Sequence, residues 1–152
     1  MRHIFPVAFL AALLALPQAP LRAQAAKTFK ARLSPMPLDL AMAATMAGSG
    51  SVTAVLTGSK LTLNGTFDGL KSAATLATLH KGQRGVRGPV VLELKASSST
   101  VGGTSGTVSA TLDLTPQQVQ DLMNSRLYVQ LHSEKAPDGN LWGWLLPQEM
   151  KR

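Results

Sequence analysis

Cysteine is absent from the 152-residue chain. That excludes disulfides, thiol nucleophiles, thiolate metal ligands and the lipid-bearing cysteine of a bacterial lipoprotein, so packing alone must hold the fold. Charge is also scarce: Asp, Glu, Lys and Arg make up 15% of the residues, below the usual quarter. The 8 carboxylates are scattered singly, which leaves no paired acid and base. Neither a nucleophile elbow nor an H-E-x-x-H helix occurs. No enzyme activity and no cofactor are therefore expected. Aromatic residues are only 5% and do not alternate with basic ones. Nucleic acid is thus a poor candidate partner, despite a net charge of +7.

One long apolar run is present, at the N-terminus. Met1-Arg2-His3 is a short positive segment, Phe5 to Leu16 is apolar, and Ala23-Gln24-Ala25 fits the small-x-small cleavage rule. The run is shorter than the roughly 20 residues a membrane span needs. Residues 1–25 are expected to be a signal peptide cut after Ala25. The mature chain, residues 26–152, is then a single periplasmic or secreted domain with no transmembrane segment. Without Arg2 and Arg22 it keeps 13 basic and 8 acidic residues, a net charge of +5. A field of that size favours anionic surfaces or partners.

Most of the mature chain alternates in character with period two, the mark of strands with one buried face. The predicted strands are Thr28 to Leu33, Gly50 to Thr57, Lys60 to Phe67, Thr75 to His80, Pro89 to Ala96 and Thr107 to Leu114. Gly58-Ser59 forms a two-residue hairpin link between the second and third. Between the first two strands, Ser34 to Gly50 holds Pro35, Pro37 and three methionines, Met36, Met42 and Met46. It reads as a long loop with room for one helical turn around Leu40 to Met46, able to cover the core or meet a partner. Lys81 to Gly88 carries three glycines and three cations. No helix follows it, so it reads as a glycine-rich turn rather than a phosphate cradle. One helix is predicted, with Thr115 as N-cap, Pro116 at its first position, Gln118 completing a capping box, and Val119, Leu122 and Met123 as the apolar stripe.

Two more strands close the chain. Tyr128 to His132 and Asn140 to Leu145 alternate, and Pro137-Asp138-Gly139 between them is a strong turn signal. The whole is expected to be all-β: an antiparallel, Greek-key-like β-sandwich, immunoglobulin-like or flattened into a barrel, of about eight strands with one short helix.

Three segments resemble the CHRD (chordin) domain family. Ala77-Thr78-Leu79-His80-Lys81-Gly82 followed by Gly88-Pro89-Val90-Val91 is similar to the family's A-H-I-H-G-P and G-P-V-V run. Leu114-Thr115-Pro116-Gln117-Gln118 is similar to its L-T-P-E-Q helix start, and Tyr128 to Ser133 with Pro137, Gly139 and Gly143 to its closing strands. The resemblance spans about Phe29 to Pro147. It implies an extracytoplasmic β-sandwich without established enzymatic activity, found alone in microbial secreted proteins and in several copies in the animal antagonist chordin. Such a domain is a binding or structural module. The chain departs from the pattern where the first histidine of H-x-H is Thr78, where a glutamate and an arginine are Asn140 and Trp142, and where a glutamine is Trp144.

These departures select the candidate residues. Trp142 and Trp144 share a strand face with Asn140. Two large rings there form an exposed apolar patch unless the methionine-rich loop Ser34 to Met46 folds over both of them, and the sequence leaves both outcomes open. Left uncovered, Trp142, Trp144, Tyr128, Asn140 and His132 are the expected contact surface for a protein partner, as an accessory subunit or within a membrane-associated complex. The alternative is a periplasmic copper or zinc protein. His80 and His132 are the mature chain's two histidines, with Glu134 or Asp138 as possible helpers, but such sites ordinarily want three or four ligands.

Overall fold

The computed structural model describes residues 25–98 and 103–148. The expected signal peptide, apart from Ala25, lies outside them. The elements in chain order are β1 (Lys27–Leu33), α1 (Leu40–Thr45), β2 (Ser49–Thr57), β3 (Lys60–Asp68), β4 (Ala74–Lys81), β5 (Val90–Ser98), β6 (Gly106–Asp113), α2 (Pro116–Met123), β7 (Leu127–Ser133), β8 (Ala136–Trp144) and β9 (Leu146–Pro147).

All strands pair antiparallel in one sheet of order β8-β7-β4-β5-β6-β3-β2-β1-β9. The β3–β4 connection passes over β6 and β5, and the β6–β7 connection passes over β5 and β4, which is the Greek-key pattern. Of the two forms the sequence leaves open, sandwich or flattened barrel, the molecule takes the second. The sheet curls until its edges meet. Ser34, just past β1, bridges to Trp142 of β8 through two backbone hydrogen bonds of 3.0 and 2.9 Å. Four residues after Trp142 the chain has left β7 and joins β1 as β9, pairing Lys30 with Leu146. Gly143 permits this closure, because a Cβ there would lie 2.6 Å from the Arg32 carbonyl.

The inward positions fill the barrel with apolar side chains, among them Phe29, Leu33, Val52, Leu63, Leu79, Val108, Val129, Leu131 and Leu141. The helix α2 has the predicted capping box, with Thr115 Oγ accepting from the Gln118 N–H and Gln118 Oε1 accepting from the Thr115 N–H. Leu122 is buried in the core, and Val119 and Met123 pack against it. Asp121 on the same helix is buried too and pairs with Lys81 at 2.8 Å, tying the helix to β4.

One local expectation fails. The predicted turn Pro137-Asp138-Gly139 is part of β8, and the actual turn is Glu134-Lys135. Ser133 pairs with Ala136 and Leu131 with Leu141, so a bulge holds the proline and glycine between them. The bulge carbonyls are taken by side chains from β7: His132 Nδ1 lies 2.8 Å from Pro137 O, and Gln130 Nε2 donates to Asp138 O at 2.9 Å. Gly139 turns the chain at φ +116°, where a Cβ would collide with both Gln130 and Trp142.

Candidate functional site

The outward positions of β4, β7 and β8 ought to face water by strict alternation. They do not. Thr78, His80, Tyr128, Gln130, Asn140 and Trp142 are all buried. Two segments cover them. The stretch from Met36 to Ala47, carrying α1, lays Met36, Met42 and Met46 over Tyr128, Ala136, Trp142 and Trp144 as a second apolar cluster separate from the barrel interior. Asp39 caps α1 by accepting from the Met42 N–H at 2.7 Å, and Asn140 Nδ2 donates to Ala47 O at 2.7 Å. The second cover is the β4–β5 connection, residues 82–89.

The exposed two-tryptophan patch is therefore not what forms. Trp142 is 2% exposed, and Tyr128 and Asn140 are buried with it. Trp144 and His132 remain part-exposed. The reason is the methionine-rich segment, which takes the alternative that the sequence left open and folds over this outer face. Methionine suits the task, since its unbranched thioether fits irregular ring surfaces.

The polar half of the face is built around Thr78. The β4–β7 register pairs His80 with Tyr128, Thr78 with Gln130 and Leu76 with His132. Thr78 thus sits one step from each histidine, and its Oγ lies 2.8 Å from His80 Nε2 and 3.0 Å from His132 Nε2. Each imidazole is fixed from behind. His80 Nδ1 is 2.8 Å from Gly88 O, and His132 Nδ1 is 2.8 Å from Pro137 O. A carbonyl only accepts, so both Nδ1 atoms carry hydrogen, and in the neutral rings both Nε2 atoms are bare. The single Thr78 hydroxyl proton can satisfy one of them. The three-centre array becomes complete with one added proton: an imidazolium donates to Oγ, and Oγ–H donates to the other ring. The pKa of His80 is lowered, first by burial and further by His132, while the Gly88 carbonyl pulls it up.

Rings extend the array sideways. His80 stacks on Tyr128 at 5.0 Å, and Tyr128 lies 4.7 Å from Trp144. The Tyr128 hydroxyl accepts from the Gly88 N–H at 3.0 Å, and Trp144 Nε1 donates to Gly82 O at 3.1 Å. Arg87 lies over the Trp142 ring, its Cζ 4.6 Å from the centroid.

The candidate metal ligands His80 and His132 do converge, but on a hydroxyl. Among the described residues no group of three or more His, Asp or Glu could hold an ion. Glu134 and Asp138 do not complete such a set, and the donor set does not support a copper or zinc site. Sequence reasoning missed two contributors. Thr78 was legible only as a lost histidine, and Arg87 only as one cation in a glycine-rich turn.

The family model described as CHRD domain matches residues 29–145. The chain belongs to the CHRD domain family. The match covers β1 from Phe29, all of β2 to β8, and both segments that cover the outer face. No curated protein and no solved structure matches the chain. Among the described residues no helix is long and apolar enough to cross a membrane.

Proposed function

We propose that this CHRD domain is an exported, non-enzymatic binding module that docks a protein partner on the covered side of its barrel. One observation carries the proposal. The exposed large apolar side chains among the described residues are Leu38, Leu40, Leu76, Val86 and Val90, and all lie on that side. Leu38 and Leu40 belong to the methionine-rich cover, Val86 to the β4–β5 connection, and Val90 and Leu76 to outward positions paired with His80 and His132. Leu40 is 89% exposed. Apolar surface concentrated on one side, beside the part-exposed Trp144 and His132, is what a protein interface uses.

The rings named from the sequence serve this surface from beneath: Trp142, Tyr128 and Asn140 hold the cover in place, and Trp144 and His132 reach its rim. The non-enzymatic reading rests on the singly scattered carboxylates and on a sequence with neither a nucleophile elbow nor an H-E-x-x-H helix. The extracytoplasmic location is supported by the family and by the signal-peptide pattern of residues 1–25.

The test compares native purification of the wild-type protein with that of a Leu40→Asp/Val86→Asp variant. A stoichiometric partner that accompanies the wild type and is lost from a variant of unchanged melting temperature is the expected result. A partner retained by the variant at wild-type ratio places the interface elsewhere.

A further inference from the structure

Arg87 presents an unusual charge. Its Nε and Nη2 atoms are buried and have no hydrogen-bond partner, and the same is true of Trp142 Nε1. The ion pairs among the described residues are Lys60–Asp113 and Lys81–Asp121, so no carboxylate among them answers this guanidinium. The ring beneath it disperses some of the charge at 4.6 Å, but a ring face accepts no in-plane N–H. Leaving charged donors buried and unmatched costs more than stranding neutral ones, whereas an exposed donor is satisfied by water.

The unmatched atoms have a shape. Nε–H and the adjacent Nη2–H point the same way, forming the side-on edge that takes both oxygens of a planar carboxylate. The indole N–H of the ring stacked below adds a third donor. The connection bearing Arg87 is exposed over residues 83–86, so a ligand can reach the site from solvent by displacing its tip. We propose that Arg87 and Trp142 form a carboxylate-binding site on the barrel's outer face, with Arg87 as the bidentate reader and the Trp142 indole N–H as the third contact. The site needs no partner protein and stands apart from the docking proposal.

Both groups report directly in a nitrogen-15 spectrum of the protein, through the Arg87 Nε–H and Trp142 Nε1–H resonances. Titration with sodium acetate, against sodium chloride at matched ionic strength, is expected to move both resonances saturably with acetate alone. The Trp144 indole N–H, already bonded to Gly82 O, stays still. Arg87→Lys keeps the charge but lacks the edge, and is expected to weaken the acetate response at Trp142 on the order of tenfold. The proposal is overturned by any of three results: no saturable shift in the wild type, an equal shift with chloride, or an equal response at Trp144. An undiminished response in Arg87→Lys overturns the assigned role of Arg87.

Discussion

Inside the barrel, Leu63, Leu79 and Leu141 are buried and bring no side-chain polar atom with them. On the other face of the same sheet, Thr78, Gln130 and Asn140 are just as inaccessible, and each has a hydrogen-bond partner for its side chain. The two layers are held differently. The interior rests on area and close packing, which tolerate apolar substitutions that preserve volume. The outer layer rests on rings, thioethers and a set of named donors and acceptors, each costly to strand. A strand with two buried faces therefore need not read as a continuous apolar run. It can keep a polar alternate face when a loop supplies the cover.

The largest effect expected from disturbing this contrast comes from the ring at the centre of the outer layer. Trp142→Ala should cost about 3–5 kcal/mol in denaturant unfolding, as a core aromatic does. A loss below about 1 kcal/mol would mean that the ring is a surface group. The matched interior change, Leu79→Ala, should cost about 2–5 kcal/mol by the same measurement. Comparable values for the two would make the outer layer a second core rather than a decorated surface.

Thr78→Val separates the layers more finely, because it keeps the shape and removes the hydroxyl. It should cost about 1–3 kcal/mol, since the Nε2 atom that accepts the single hydroxyl proton then loses its donor. The burial of His80 predicts a pH effect. The folded His80 pKa lies below its ordinary 6.5. The unfolded chain therefore takes up that proton first as pH falls. The stability tied to His80 is full above about 6.5 and declines as pH drops from there toward the folded value. Thermal unfolding across that window should show the loss in the wild type, and a shallower pH dependence in His80→Gln. Smallest of all, replacing Lys60 and Asp113, an exposed pair at 3.1 Å, should leave stability within about 0.5 kcal/mol.

What the sequence revealed follows the same division. Period-two alternation in segments such as Val52–Leu56 and Val108–Leu112 reports which side chains face the core, so the barrel interior was legible strand by strand. The capping box at Thr115 and Gln118 is local chemistry, and α2 begins where it predicts. Alternation is silent about the other face. Nothing in the spacing of Asn140, Trp142 and Trp144 tells whether a distant segment lies over them, and here Met46 does so from far along the chain. The convergence of His80 and His132 depended on β4 pairing with β7, a long-range choice. The role of Thr78 depended on the bulge at Pro137, which a strong turn motif disguised. Composition shows Arg87 as one of several cations; only the fold places it on a tryptophan with no ion-pair partner among the described residues.

The central claim is that the outer face of β4, β7 and β8 is a covered second core with Trp142 at its centre. Acrylamide quenching of a Trp144→Phe variant, excited where tyrosine does not absorb, tests it most directly, because Trp142 is then the single tryptophan. The account predicts blue-shifted emission with little quenching until the protein unfolds. Emission and quenching like those of free tryptophan in the folded protein would contradict it.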